Sequence, residues 1–193
     1  MKNKIILFIF FFIFTTTVSA KDNFPFYGSL DPKPKIIVQV FSSLTCPHCA
    51  NFHLNFLPKI LEKYVSNGKV LIKLMDFPLD LSGLKAAQIQ KCLPLDKQKT
   101  YLDIIYKTQS TWTAAKTLKE LESNIQKITQ QLGLGEKEFE ECLKNKKNED
   151  EVLQSRIKAQ SKYEIDSTPT FVVNEKKFKG SLSELDQYLE KLL

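Results

Sequence analysis

The motif Cys46-Pro47-His48-Cys49 stands where the hydrophobic pattern of the chain changes its period. The segment before it, Ile36–Phe41, is almost entirely apolar and predicts a buried strand. After the motif, apolar residues recur every three or four positions as far as Tyr64, which predicts a helix that ends at Asn67-Gly68. A second strand is predicted at Lys69–Met75. Together these elements form a βαβ unit, so we expect the two cysteines between the carboxyl end of the first strand and the amino end of the helix.

The first twenty residues have the pattern of a secretory signal peptide. A basic start with two lysines precedes the unbroken apolar run Ile5–Phe14, and Val18-Ser19-Ala20 offers small residues for cleavage. The alternative is an uncleaved membrane anchor, but this run is shorter than the ~20 residues that a bilayer-spanning helix needs. We therefore expect residues 1–20 to be removed and the remainder to be a soluble protein of an oxidising, periplasmic compartment.

The composition is that of one compact domain. The chain has 193 residues, of which 42% are hydrophobic and 26% charged, and these values exclude collagen-like, disordered and polytopic membrane proteins. The formal net charge is +6, but the lysines alternate with Glu and Asp along predicted helices, as they do on an ordinary solvated surface. We therefore expect no nucleic-acid partner.

The second half of the chain predicts a helical insertion, a hairpin and a last helix. Helical spacing extends over Leu81–Tyr163 with four breaks. Phe171–Val173 and Phe178 flank a turn and predict a β-hairpin, and Ser181 with Glu184 forms a capping box for the last helix. The breaks are expected near Pro94, at Ser110–Thr113, at Gly133–Gly135 and near Lys147-Asn148.

The order βαβ, helical insertion and ββα is that of an α/β thioredoxin fold interrupted by an inserted helical cap. We expect the thioredoxin-like domain to comprise residues 21–80 and 164–193. The inserted helical subdomain is expected over residues 81–163.

Three motifs resemble those of the DsbA family of exported thiol:disulfide oxidoreductases. They are Cys46-Pro47-His48-Cys49, Asp76-Phe77-Pro78 after the second strand, and Thr168-Pro169-Thr170 before the third. The resemblance implies a monomeric enzyme without a bound cofactor that introduces disulfides into reduced, unfolded secreted proteins. It also implies a membrane partner of the DsbB type, which reoxidises the enzyme and passes electrons to quinone.

The position of the motif gives its two cysteines different roles. A thiol at the amino end of a helix faces unpaired backbone N–H groups that stabilise its thiolate, so Cys46 is the expected nucleophile. Cys49 lies one turn later on the same face and points inward, so it is the expected resolving thiol. Pro47 and His48 are expected to tune the redox properties of the pair.

The resemblance further implies a cis peptide bond between Thr168 and Pro169, close to the two cysteines. Only ~5–6% of X–Pro bonds are cis by base rate. In this arrangement the backbone groups of Thr168 are exposed and can pair with an extended substrate segment, so both residues are expected to bind substrate.

Cys92 and Cys142 lie alone in distant segments of the predicted helical cap. In an oxidising compartment four cysteines suggest two disulfides, although the sequence permits three pairings. We expect a structural disulfide between Cys92 and Cys142. The alternatives are a second redox-active pair and two unpaired buried thiols.

Other interpretations of the motif and of the function stay open. Cys46 and Cys49 can form a static disulfide, or join His48 and His53 in a zinc site, although four ligands so close in sequence fit tetrahedral geometry poorly. No metal site is therefore expected, and His53 is expected on the surface or in a groove. The functional alternatives are a disulfide reductase or isomerase of the same fold and a redox-inert peptide-binding or chaperone-like module.

One position departs from the family pattern. Relatives commonly carry a buried acid in the first strand, six residues before the first cysteine of the motif, where it assists proton transfer at the resolving thiol. This chain has Val40 there, and the adjacent Gln39 should face the opposite side of the sheet. Proton transfer at Cys49 is therefore expected to use water or another group.

Overall fold

One sheet of five strands lies at the centre of the structure, a computed structural model that describes residues 24–193. The predicted signal peptide, residues 1–20, lies outside the described residues. The strands are β1 (Phe26–Tyr27), β2 (Ile36–Ser42), β3 (Val70–Asp76), β4 (Thr170–Val173) and β5 (Lys176–Lys177). Their order in the sheet is β1-β3-β2-β4-β5, with β2 and β3 parallel and the other neighbours antiparallel.

Strand β1 lies in Phe24–Lys35, a segment that the sequence predicts to be irregular. Phe26 pairs with Lys73 of β3, and the backbone N–H of Leu74 donates to the carbonyl of Pro25 at 2.9 Å. The prediction is therefore wrong at this point. A strand of two residues is too short to show an alternating hydrophobic pattern. The extended conformation of β1 results from its pairing with the edge of β3.

The helix after the cysteine motif changes its winding along its length. It comprises α1 (Pro47–Asn51), a first π-helical turn (Phe52–Phe56), α2 (Leu57–Ile60) and a second π-helical turn (Leu61–Val65). The sequence predicts a kink at Pro58, because a proline has no N–H to donate. The wider first π-helical turn, in which Leu57 donates to the carbonyl of Phe52, precedes this proline and lets the helix continue past it.

Six helices occupy the chain between β3 and β4, which confirms the predicted helical insertion. They are α3 (Leu81–Gln90), α4 (Leu95–Lys107), α5 (Gln109–Trp112), α6 (Leu118–Gln131), α7 (Glu136–Leu143) and α8 (Lys146–Tyr163). The break predicted around Ser110–Thr113 is present but displaced, because Gln109–Trp112 form α5 and the non-helical residues are Thr108 before it and 113–117 after it. The last break comes earlier than predicted, because the Asn145 side chain accepts from the N–H of Asn148 at 3.2 Å and caps α8.

The predicted end of the chain is confirmed in its main features. Strands β4 and β5 form the hairpin, and the capping box of Ser181 and Glu184 starts α9 (Leu182–Leu192). No helix among residues 24–193 is long and apolar enough to cross a bilayer.

Three hydrophobic clusters hold the layers together. The first lies between one face of the sheet and the helix after the cysteine motif, and α9 completes it. The second lies between the other face and α8, around Phe41 and Ala159. The third is the interior of the helical cap, and it includes Cys46 and Cys49 together with Tyr101 and Trp112. The cysteine pair is thus packed against the inserted helices.

The structure joins Cys92, just after α3, to Cys142 of α7 in a disulfide. The sulfur atoms are 1.96 Å apart and the Cα atoms 6.1 Å. Beside it, Nε2 of the buried Gln88 lies within hydrogen-bond distance of the carbonyl oxygens of Cys142, Leu143 and Asn145, at 2.9, 3.1 and 3.2 Å. These contacts fix the connection between α7 and α8 to α3.

Replacing Cys92 and Cys142 by Ala is expected to lower the free energy of unfolding by up to roughly 4 kcal/mol, because the disulfide closes a loop of 50 residues. Urea denaturation followed by circular dichroism measures the change. Both proteins carry Cys46→Ser and Cys49→Ser, so that no other thiol reacts. Equal midpoints would show that this disulfide contributes no stability.

Candidate active site

Cys46 and Cys49 lie at the start of α1, just beyond the carboxyl end of β2. Cys46 precedes the helix with an extended backbone (φ −81°, ψ 119°), and its carbonyl accepts from the N–H groups of Cys49 and Ala50 at 3.1 Å each. Pro47 and His48 are exposed, whereas the exposed fractions of Cys46 and Cys49 are 7% and 1%. Both cysteines are free thiols in this structure.

The two thiols differ strongly in acidity. Hydrogen bonds lower the pKa of Cys46 to about 5, and the bond from the Cys49 side chain has the largest effect. Burial opposes this shift. Smaller contributions in the same direction as the first come from the Thr168 side chain and from the backbone of Cys49 and His48. Burial is the main cause that raises the pKa of Cys49 far above its ordinary value, and the neighbouring Cys46 raises it further. The helix therefore begins with a stabilised thiolate, and the thiol beside it keeps the proton.

The loop before β4 brings Thr168 and Pro169 to the cysteine pair. The peptide bond between these two residues is cis, and Cys46 Sγ lies 3.4 Å from the carbonyl oxygen of Thr168, to which it donates when it is protonated. Thr170 Oγ1 donates to the carbonyl of Ser167 at 2.7 Å and closes the loop. A backbone acceptor thus lies directly beside the more acidic sulfur.

Two residues that the sequence analysis did not single out hold the loop before Cys46. Nε2 of the buried Gln109, on α5, donates to the carbonyl oxygens of Leu44 and Cys46 at 2.8 and 3.1 Å. Asp80, which caps α3, accepts from Thr45 Oγ1 at 2.8 Å. An acid just before a predicted helix is a detectable capping signal. No sequence pattern marks a side-chain amide on a helix of only four residues, so the sequence does not predict the role of Gln109.

His53 lies in the first π-helical turn and is only 5% exposed, so the surface position, one of the two predicted for it, is wrong. Its Nε2 lies 2.7 Å from Oδ1 of Asp103 on α4, and its ring lies against Tyr106 with centroids 4.9 Å apart. Burial is the main cause that lowers the pKa of His53, and the Asp103 carboxylate opposes it. Helix α4 covers this position, and the periodicity of the first helix cannot show that.

The described part of the chain, residues 24–193, contains no group of three or more His, Cys, Asp or Glu side chains arranged to hold a metal ion.

Val40 is completely buried under the helix, and Gln39 faces the other side of the sheet, where Nε2 donates to Oε1 of Glu175 at 2.9 Å. A buried acid is nevertheless present on the neighbouring strand. Asp76, the last residue of β3, is 7% exposed, and its Oδ2 lies 2.7 Å from Nζ of Lys91. No sequence pattern marks Lys91 as a partner for Asp76, so the sequence does not predict this ion pair.

Comparisons with known proteins agree with this geometry. A family model described as Thioredoxin matches residues 22–191. The crystal structure of Wolbachia pipientis alpha-DsbA1 has a TM-score of 0.76 and 29% sequence identity, over 91% of this chain and 93% of that one. A Bacillus anthracis protein described as disulfide bond formation protein D is 28% identical over 149 residues, which are 75% of this chain and 67% of that protein.

A Rickettsia bellii protein described as a protein-disulfide oxidoreductase is 26% identical over 162 residues, 83% of this chain. The chain spans 61% of the length of that relative. Since the family model extends over nearly the whole chain, the protein belongs to the thioredoxin family, and it shares its fold with DsbA structures.

Proposed function

We propose that the protein is an exported thiol:disulfide oxidoreductase that introduces disulfides into reduced, unfolded secreted proteins. The observation that carries the proposal is the unequal acidity of the two thiols: the pKa of Cys46 is about 5, and that of Cys49 is raised. A stable thiolate favours the reduced form of such a pair, so its disulfide is a strong oxidant.

In the proposed reaction a substrate thiolate attacks Sγ of Cys46 in the Cys46–Cys49 disulfide. The disulfide bond breaks, Cys49 leaves as a thiolate and takes up a proton, and the substrate is held on Cys46 as a mixed disulfide. A second substrate thiolate attacks the substrate sulfur and releases Cys46 as a thiolate. In the return reaction Cys46 is the nucleophile toward an oxidised partner, and Cys49 is the resolving thiol.

We assign substrate binding to Thr168 and Pro169. The Thr168 carbonyl, 3.4 Å from Cys46 Sγ, supports this assignment, because a backbone group at that distance can pair with an extended chain held on the sulfur. Pro169 has no N–H that could compete for the thiolate. The exposed Pro47 and His48 lie between the two sulfurs in sequence, and we assign them the tuning of the redox potential.

The proposal includes a periplasmic location, with residues 1–20 removed as a signal peptide. The basic and apolar pattern of these residues supports it. A membrane reoxidase of the DsbB type would restore the disulfide, and the enzyme would act as a monomer without a bound cofactor. The thioredoxin-like domain would comprise residues 21–80 and 164–193, with residues 81–163 as the inserted subdomain.

Cys46→Ser and Cys49→Ser are each expected to abolish oxidation of a reduced two-cysteine peptide, because each removes the disulfide that the reaction donates. Mass spectrometry of the peptide measures the product. The Cys92→Ala/Cys142→Ala protein is the matched control and should retain the parental rate. Undiminished oxidation by both serine variants would identify a different reactive group, whereas no oxidation by the parental protein would indicate a redox-inert binding module.

The alkylation rate of Cys46 in the reduced protein is expected to reach half of its maximum at about pH 5. Cys49→Ala should move this midpoint toward the ordinary thiol value of about 8.5, because it removes the largest cause of the lowered pKa. Ionisation of Cys46 stabilises the folded reduced protein fully above about pH 8.5, and this stabilisation is lost as the pH falls through about 5. An unchanged midpoint in Cys49→Ala would refute the role given to Cys49.

The redox potential of the Cys46–Cys49 pair is expected to lie well above the roughly −180 mV of protein disulfide isomerase. Equilibration with glutathione buffers, in the Cys92→Ala/Cys142→Ala background, measures it. A value near the roughly −270 mV of thioredoxin would instead indicate a reductase.

A further inference from the structure

The short turn between β2 and α1 determines where the reactive sulfur lies. In this turn, residues 43–46, the N–H of Cys46 donates to the carbonyl of Ser43 at 3.2 Å, and Ser43 is only 1% exposed. Cys46 has the extended backbone that precedes the helix, so its sulfur lies at the amino end of α1. There, hydrogen bonds from the Cys49 side chain and, to a smaller extent, from the backbone of Cys49 and His48 lower its pKa.

A chain of hydrogen bonds connects this turn to an exposed carboxylate. Oγ1 of Thr45 lies 2.8 Å from Oδ2 of Asp80 and 2.9 Å from Oγ of Ser43. Because a carboxylate has no proton to donate, the Thr45 hydroxyl donates to Asp80, and the Ser43 hydroxyl in turn donates to Thr45. Oγ of Ser43 also accepts from the N–H of Leu79 at 3.3 Å. The two hydroxyls thus bind the turn to the segment that follows β3.

The two oxygens of Asp80 have different partners. Oδ1 accepts from the N–H of Gly83 at 2.7 Å, as the side chain of an N-cap residue does. Ser, Thr or Asn would cap the helix in the same way. Among these residue types and Asp, only Asp has a second carboxylate oxygen, and here that oxygen receives the Thr45 hydroxyl. The cap alone therefore does not require a carboxylate at this position, whereas the bond to Thr45 does.

Helix α3 approaches the turn so closely that only a glycine fits between them. A Cβ atom on Gly83 would lie 2.9 Å from Oγ of Ser43 and 3.2 Å from Oγ1 of Thr45. Glycine inside a helix is less favourable than alanine. The close contact with the two hydroxyls therefore accounts for a glycine in the first turn of α3.

The segment that carries Asp80 is also held by α8. Nη1 of Arg156 donates to the carbonyl of Pro78 at 2.7 Å, and the guanidinium carbon lies 5.3 Å from the ring centroid of the buried Phe77. The backbone of Asp80 is therefore fixed on both sides, by Arg156 before it and by α3 after it. A carboxylate on a backbone fixed in this way can hold the turn before Cys46 in place.

We propose that Thr45 and Asp80 are positioning residues of the reaction at Cys46, an inference that rests on the proposed function. Their hydrogen bond holds residues 43–46 so that the Cys46 sulfur stays at the amino end of α1. In the oxidised enzyme the covalent bond to Cys49 fixes that sulfur, whereas in the reduced enzyme only the backbone and hydrogen bonds do. The contact therefore stabilises the reduced form more than the oxidised form, and this makes the disulfide a stronger oxidant.

The test measures the equilibrium of the Cys46–Cys49 pair with glutathione and the pH midpoint of Cys46 alkylation. The protein keeps its Cys92–Cys142 disulfide, and mass spectrometry after alkylation measures each pair separately. Thr45→Val keeps the shape of the side chain and removes its hydroxyl. It should shift the equilibrium at least about fivefold toward the oxidised enzyme and raise the alkylation midpoint. Thr45→Ser keeps the hydroxyl and should stay within about twofold of the parent.

Two further variants disturb the same contact from the side of α3. Asp80→Ser retains the helix cap but lacks the second oxygen, and Gly83→Ala pushes against both hydroxyls although alanine favours the helix. Both should shift the equilibrium in the same direction as Thr45→Val. A loss of stability alone would leave the equilibrium unchanged, because it affects both redox forms alike. Thr100→Val, the same exchange on the exposed side of α4, is the matched control and should behave as the parent does.

A parental equilibrium and midpoint in folded Thr45→Val or Asp80→Ser would overturn the inference. If neither of these variants unfolds cooperatively on heating, Gly83→Ala decides the question by the same measurements. The proposed function itself is tested by the parent in the same experiment. A parental equilibrium like that of thioredoxin would refute the oxidase function, whereas the difference between parent and variants would still decide the role of Thr45 and Asp80.

Discussion

Cys46 and Cys49 share one proton unequally, and the arrangement of the active site depends on this difference in acidity. Cys46 keeps its charge because it stands before a helix and accepts hydrogen bonds, and Cys49 keeps the proton because it is buried. These two requirements oppose each other, since a thiolate needs polar surroundings and a neutral thiol needs apolar ones. The fold satisfies both by placing the start of α1 at the boundary between solvent and core.

Each part of the chain contributes to this boundary. The inserted helices bury Cys49 and supply Gln109, which holds the backbone of Cys46 in place. On the other side, the loop before β4 places Thr168 beside the Cys46 sulfur, and the Thr168 side chain is among the groups that lower the pKa of Cys46. The insertion is therefore part of the reactive site, because without it the second thiol would be exposed and the difference in acidity would shrink.

The sequence predicts those features that depend on neighbouring residues. The change of hydrophobic period at the cysteine motif, the helical insertion and the capping box of α9 are local patterns, and the structure contains them. The burial of His53, the ion pair of Asp76 with Lys91 and the contacts of Gln109 depend on segments that are far apart in the chain. No local pattern encodes which helix will cover a given side chain, so these features had to be observed.

The order of the strands has a consequence for when a new molecule becomes reactive. The sheet places β4 beside β2, so Val38 pairs with Val173, and Thr168 reaches Cys46 across 122 residues. Contacts between such distant segments form late and slowly. A chain that emerges from the ribosome amino end first therefore has its cysteines before it has the segment that contacts them. Until β4 has paired with β2, the Cys46 sulfur lacks its contact with Thr168.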